Sequence, residues 1–380
     1  MAYIHRHLDL EKDLKSRSVL LLGPRQTGKT SLIREQLTTH QSFNLLLPEV
    51  YNRLSFDPQS LIREIQDPKK IVVIDEIQKI PQLLDVVHYL IEEKKIRFLL
   101  TGSSARKLKS SHVNLLGGRA RLRYLNPFTS TELGAEFSLE SFLQRGLLPS
   151  HYFSDDIESD LEAYVGAYLQ HEIASEGLTR NVPAFSRFLE VAALGHAEQI
   201  NFTQISSDAQ VPRTTIHEYY SILQDTLIAH EVPAWQKSRK RKAVSTAKFY
   251  FFDWGVVRKI QKAGLVVPKS PLFGKAFESF IYQELKAHCD LTGLEKPHYW
   301  RTTSQDEVDF IVGDEIAVEV KAKAQVQLRD LSGLIKLQEE KKLKKFFLVY
   351  TGDVEIVFPE APKIRVLPWR KFLEILKHGE

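Results

Sequence analysis

The chain has 380 residues, 43% hydrophobic and 26% charged, an ordinary globular balance that excludes disordered and fibrous classes and suggests two or three domains. No apolar run approaches the roughly 18 residues of a membrane span. The opening Met1-Ala2-Tyr3-Ile4-His5-Arg6 lacks an apolar signal core, and the single cysteine, Cys289, excludes a disulfide framework or a multi-cysteine zinc site. A soluble, cytoplasmic protein without a membrane partner is expected. Basic residues exceed acidic ones by 52 to 48, a net of +4. The stretch Lys237-Ser238-Arg239-Lys240-Arg241-Lys242 alone holds five positive charges, so the excess is one local cluster.

Through residues 19–124 short apolar runs alternate with helical patterns, the mark of a parallel α/β domain. Strands are expected at 19–22, 44–47, 71–75, 97–101 and 121–125. Ile80, Leu83, Leu84, Val87, Leu90 and Ile91 recur at helical spacing. Residues 138–195 read as mostly helical. From 196 to 252 the order becomes a helix at 202–209, a turn at Gln210-Val211-Pro212 and a helix marked by Ile216, Tyr219, Tyr220, Leu223 and Leu227. Strand-like 228–233, the basic cluster and strand-like 248–252 follow, the order of a winged helix-turn-helix. The last block offers a helix at 273–288, strands at 298–301, 307–312 and 316–321, a helix at 328–341 and a strand at 346–350. Three domains are expected: 1–135, 136–255 and 256–380.

Gly23-Pro24-Arg25-Gln26-Thr27-Gly28-Lys29-Thr30 fits the phosphate-binding pattern G-x-x-x-x-G-K-[ST] at every position. An apolar strand precedes it and a helix is expected from near Ser31. Glycines let backbone N–H groups wrap phosphates, and the helix N-terminus adds a favourable dipole. Lys29 is expected to reach the β- and γ-phosphates and Thr30 to ligate Mg²⁺. Asp75-Glu76 ends the apolar run Ile71-Val72-Val73-Ile74. Asp75 would hold Mg²⁺, and Glu76 would orient or deprotonate the attacking water. Thr101 and Ser103, around the next strand end, are candidates to touch the γ-phosphate or the water. Arg119, after Gly117-Gly118, could stabilise transition-state charge in cis or in trans. No base-reading motif separates ATP from GTP.

The sequence resembles the AAA+ superfamily of ATPases, and more narrowly the bacterial and archaeal ATPases that pair an AAA+ core with a C-terminal domain of formerly unknown function. The likeness rests on the Gly23–Thr30 loop, Asp75-Glu76-Ile77-Gln78-Lys79, Thr101-Gly102-Ser103-Ser104 and Gly117-Gly118-Arg119. It continues through Tyr250-Phe251-Phe252-Asp253, Phe277-Glu278, Glu307-Val308-Asp309-Phe310 and Glu319-Val320-Lys321. It implies a P-loop AAA+ parallel sheet, ATP binding with hydrolysis, and a nuclease-like C-terminal fold, and it allows an oligomer.

Asp309 and Glu319-Val320-Lys321 fit the loose D-x(n)-E-x-K pattern of PD-(D/E)XK nucleases. Two carboxylates on neighbouring strands can hold Mg²⁺ or Mn²⁺ against a scissile phosphate. Lys321 shares the strand face of Glu319, and Glu278 on the preceding helix is a further candidate ligand. Both carboxylates share a face only if Val312 opposes Ile316 across a three-residue Gly313-Asp314-Glu315 loop; a two-residue turn would separate them. An active nuclease, a binding domain without cleavage and a purely structural domain all remain open. In the middle region Arg213, Thr214, Thr215, His217, Ser221 and Gln224 lie off the apolar stripe and could face a nucleic acid, DNA sooner than RNA. Glu218 would oppose phosphates, and the basic cluster, with Trp235 beside it, falls where a wing would lie. The expected function is an ATPase that couples nucleotide state to nucleic-acid binding or processing. The alternative is a regulatory ATP switch for protein contacts with a non-catalytic C-terminal block.

Overall fold

The computed structural model describes residues 3–106, 115–169, 181–238 and 243–378. It divides into two units: Met1–Phe128 with Ser221–Ile228, and Thr129–Tyr220 with Ala229–Glu380. Among the described residues no helix is long and apolar enough to cross a membrane.

The first unit is built on β1 (Ser18–Leu22), β2 (His40–Asn44), β3 (Ile71–Asp75), β4 (Phe98–Gly102) and β5 (Ala120–Tyr124). All pairings are parallel and the spatial order is β2-β3-β4-β1-β5. Alternate residues face opposite sides of a strand. Leu20, Leu22, Val72, Ile74, Phe98 and Leu100 accordingly enter one apolar cluster, while Val19, Leu21, Val73 and Leu99 enter another. Burial on both faces is why these strands read as continuous apolar runs. One expectation is corrected. The strand expected at 44–47 lies at His40–Asn44, and Leu46 and Leu47 are half exposed, at 50% and 53%. Pro48 opens the next helix and Leu47 serves as its extended N-cap, so the leucine run ends the strand's connection. β2 is an edge strand held to β3 by backbone pairing, which polar His40, Gln41 and Ser42 can supply.

In the second unit short helices, including Leu139–Arg145 and Val182–Leu194, precede the helix Phe202–Ala209 and the helix Arg213–Asp225, whose residues from Ser221 onward count with the first unit. Next comes the antiparallel pair β6 (Ala229–Val232) and β7 (Lys248–Phe251). The long helix Pro271–Thr292 leads into β8 (His298–Arg301), β9 (Glu307–Val312), β10 (Ile316–Lys321), β11 (Lys345–Tyr350) and β12 (Ile364–Pro368), ordered β12-β11-β10-β9-β8. β8, β9 and β10 pair antiparallel, and β10, β11 and β12 parallel. Val312 opposes Ile316, so the three-residue loop is present. The helix expected at 328–341 is a 3₁₀ turn, Leu328–Leu331, followed by the helix Ser332–Gln338.

The segment between β6 and β7 differs from a free wing. Trp235 N–H donates to the Tyr299 carbonyl at 2.7 Å and Val244 N–H to that of Arg301 at 2.9 Å, so both arms lie along β8. Trp235 is buried, with Nε1 donating to Asp314 at 2.7 Å, and Lys237 pairs with the same aspartate. The segment covers a sheet edge that would otherwise present unpaired backbone groups. Arg239, Lys240, Arg241 and Lys242 lie outside the described residues.

Candidate nucleotide site and carboxylate cluster

The loop Gly23–Gly28 leaves the carboxyl end of β1 and enters the helix Lys29–Gln36. Gly28 has φ +91°, a conformation that side chains disfavour, which explains glycine before the lysine. Thr27 Oγ1 donates to the Pro24 carbonyl at 2.8 Å and closes the loop on itself. Lys29 is buried, with Nζ donating to the carbonyls of Gly23 at 2.7 Å and Pro24 at 3.0 Å. Burial pulls its pKa down to about 8, against the pull of Glu76 and Asp75, whose carboxylates lie near enough to raise it. Thr30 and Ser31 follow in the first turn, both exposed. Pro24 is buried, Arg25 half-buried and Gln26 exposed.

Asp75 ends β3 and Gly102 ends β4, the strand between β3 and β1, so the motifs meet at one edge of the sheet. Thr101 Oγ1 donates to Asp75 Oδ1 and accepts the Glu76 N–H at 3.2 Å. Burial raises the Asp75 carboxyl above its ordinary range, with the Thr101 bond working the other way. Glu76 Oε2 accepts from Ser103 Oγ at 3.1 Å and from Gln78 Nε2, which also donates to Ser103 at 3.2 Å. A Cβ on Gly102 would sit 2.7 Å from Gln78 Oε1, so glycine there makes room for the Gln78 amide. A buried ammonium, two carboxylates and aligned hydroxyls beside an amide-lined helix entry fit a nucleoside triphosphate with Mg²⁺.

Arg119 is not brought to this edge. Ala120 pairs with Ser18 at the amino-terminal end of β1, a strand length of roughly 15 Å from the loop. Arg119 pairs there with Glu92 and does not serve the loop of its own chain. A cavity of about 680 Å³, lined by Lys15, Lys69, Lys94, Lys95, Arg97 and Glu11, also lies at the amino-terminal strand ends, away from the nucleotide motifs. The sequence reading missed Arg6, which donates to the carbonyls of Thr27 at 2.8 Å and Asn126 at 2.6 Å and so ties the loop to the segment after β5. Gln78 stands in the Asp75-Glu76-Ile77-Gln78-Lys79 stretch, where spacing alone assigns it no role.

In the second unit Asp309, Glu319, Lys321 and Glu278 do come together. Asp309 Oδ2 accepts the Val320 N–H at 2.8 Å, and Lys321 Nζ lies 2.5 Å from Glu319 Oε1. Glu319 Oε2 is buried without a hydrogen-bond partner. Burial pushes the Glu319 carboxyl up and Asp309 adds to it, while Lys321 opposes. Burial likewise raises Glu278, against the pull of Lys248. Three residues missing from the expected set complete the cluster. Lys248 Nζ is 2.5 Å from Glu307 Oε1 and 3.6 Å from Glu278 Oε1, and Tyr250 O–H donates to Glu278 at 2.5 Å. Burial works against the Lys248 ammonium, but Glu278, Asp309 and Glu307 outweigh it and raise its pKa. Among the described residues no group of three or more His, Cys, Asp or Glu side chains could hold a metal ion. One oxygen of Glu319 is open, but Lys321 holds the other, Lys248 sits between Glu278 and Glu307, and the Val320 amide holds Asp309. The expected Mg²⁺ or Mn²⁺ does not fit this arrangement.

On the helix Arg213–Asp225, Arg213, Thr214, Glu218 and Ser221 are exposed, and Thr215 and Gln224 are half-buried. The His217 ring stacks on Phe202 with centroids 3.7 Å apart.

Residues 15–134 match the family described as AAA domain. Residues 136–265 and 273–372 match two domains of unknown function, DUF8612 and DUF4143. The uncharacterized protein Rv2008c of Mycobacterium tuberculosis is 26% identical over 363 residues, covering 92% of this chain and 79% of that protein. The uncharacterized protein Mb2031c of Mycobacterium bovis matches to the same extent. Among solved structures, the RuvB Holliday junction branch migration motor of Thermotoga maritima aligns at 17% identity and TM-score 0.32, over 59% of this chain and 87% of that one. The DNA clamp loader delta protein of Bacillus subtilis aligns at 13% and 0.25, over 57% and 87%. With the family match and the geometry of the loop together, residues 15–134 form an AAA domain with a P-loop.

Proposed function

We propose that the first unit binds and hydrolyses ATP with Mg²⁺, and that its nucleotide state governs nucleic-acid binding by the second unit. The observation that carries the ATPase reading is the meeting of buried Lys29, Glu76, Thr101, Ser103 and Gln78 with half-buried Asp75 beyond the carboxyl ends of β1, β3 and β4. The loop from Gly23 to Ser31 wraps the phosphates through the backbone amides that follow Pro24, and the Lys29 ammonium exchanges its carbonyl partners for phosphate oxygens. Mg²⁺, held by Thr30 and Asp75, would neutralise phosphate charge. Thr101 fixes the Asp75 carboxylate. Ser103 and Gln78 hold Oε2 of Glu76, leaving Oε1 to orient and deprotonate the attacking water. Arg119, at the far end of β5, serves a neighbouring copy in trans.

The C-terminal block is proposed as a PD-(D/E)XK nuclease-like domain that binds nucleic acid without cutting it. Its support is the three-residue loop between β9 and β10 and the gathering of Glu278, Asp309, Glu319 and Lys321. Nucleic-acid contact would come from Arg213, Thr214 and the basic segment, as in a winged helix. The second reading, an ATP switch for protein contacts, is favoured by the anchoring of Trp235 and Lys237 on Asp314 and by exposed Glu218. ATP turnover with and without DNA, at several salt concentrations, separates them. Turnover or DNA affinity that responds to the other ligand supports the first reading; indifference in both supports the second. Glu76→Gln should keep ATP binding and lose turnover by about 10²-fold or more. Equal turnover in parent and variant would remove Glu76 from the chemistry.

A further inference from the structure

β7 places Lys248 in an apolar strand, followed by Phe249, Tyr250 and Phe251. Such a position tolerates a charge only if it is paired. The side chain is 6% exposed and its ammonium meets Glu307 at 2.5 Å and Glu278 at 3.6 Å. Tyr250, on the same strand face, donates to Glu278. Arg301 Nη1 holds the other oxygen of Glu307 at 3.2 Å. Lys321 holds Glu319, and Asp309 is fixed on the Val320 amide. The cluster thus has three cations, Lys248, Lys321 and Arg301, facing four carboxylates. A divalent ion added to it would crowd an ammonium that already bridges two of the carboxylates.

We propose that Lys248 is the resident cation of this cluster, standing where a divalent metal ion would bridge Glu278 to the β9 carboxylates, so that the second unit takes up neither Mg²⁺ nor Mn²⁺. The lysine comes from the hairpin strand and not from the helix or the sheet that carry the carboxylates. It therefore clasps β7 to the helix Pro271–Thr292 and to β9. The consequence is a nuclease-like face without a metal to activate water, which binds or supports and does not cut. The inference is independent of the ATPase reading.

The test is Mn²⁺ binding to the full chain without nucleotide, counted by loss of the free-ion electron paramagnetic resonance signal. Parent and Glu319→Gln should bind equally. Lys248→Met keeps the length of the stem and removes the charge. It should gain one equivalent of Mn²⁺, which a further Asp309→Asn change removes. Parent binding that is lost in Glu319→Gln or Asp309→Asn would overturn the proposal, as would a folded Lys248→Met that gains no ion. If Lys248→Met folds only with Mn²⁺ present, the exchange of lysine for metal is supported. If it folds under neither condition, the comparison of parent with Glu319→Gln decides: equal binding supports the proposal and loss overturns it.

Discussion

Glu76 sits at φ +61°, in the left-handed region that costs a non-glycine residue roughly 1 kcal/mol. Its backbone N–H on Thr101 and its carboxylate on Ser103 and Gln78 hold it there. Gln78 is thus a positioning residue, and its removal should act on turnover more than on binding. Gln78→Ala is expected to lower kcat about tenfold, with the Kd for ATP within about twofold of the parent, by loss of one positioning contact. A matched fall in affinity and turnover would argue that Gln78 only supports the fold. Elsewhere, His196 is buried and neutral: Nδ1 accepts the Phe251 N–H at 3.1 Å and Nε2 faces Ser279 Oγ at 2.5 Å. Burial draws its pKa from 6.5 down to about 3. The unfolded chain therefore takes up a proton below pH 6.5 that the folded unit refuses. This contribution to stability is complete above pH 6.5 and is lost as pH falls from there towards 3. His196→Gln should lower the melting temperature at pH 8 and flatten its fall between pH 6.5 and 4.5. An unchanged slope would show that His196 is not the group responsible.

At the scale of elements, Asp253 couples two helical segments. Its buried carboxylate accepts the Leu147 N–H at 2.7 Å and caps the helix Trp254–Ile260 through Val256 at 3.2 Å. Burial still raises its pKa to about 6, against these backbone bonds. Asp253→Ala leaves buried amides without an acceptor and should cost about 3 kcal/mol in urea unfolding. A loss below about 1 kcal/mol would contradict that role. The β9–β10 hairpin was legible in advance because period-two alternation and the turn residues constrain one another. β2 was not, because an edge strand needs few apolar side chains and the neighbouring leucines drew the reading onward. Arg6, 21 residues from Thr27, and Lys248, far from Glu307, act through long-range contacts that spacing along a chain does not encode. Each left a trace all the same. Lys248 is a charge within an aromatic strand, and Glu307 lies two residues before Asp309 on the same face.

Across the whole molecule, the two units carry different chemistry. The first gathers its polar residues at one strand edge, where the nucleotide motifs announced them. The second pairs Glu278 and Glu307 with Lys248, which the D…E-x-K spacing could not reveal because that lysine comes from another strand. Basic charge is densest in the sequence around Arg239, Lys240, Arg241 and Lys242. If these meet a nucleic acid backbone, replacing all four with Gln should reduce the slope of log affinity against log salt for duplex DNA by about 3 to 4. An unaltered slope would place DNA contact elsewhere or remove it. The central claim is that the Lys29 loop grips a nucleoside triphosphate, and calorimetric titration of ATP with saturating Mg²⁺ into the parent and into folded Lys29→Ala tests it most directly. The account predicts one equivalent bound by the parent and no heat from the variant; equal binding in both, or none in the parent, would contradict it.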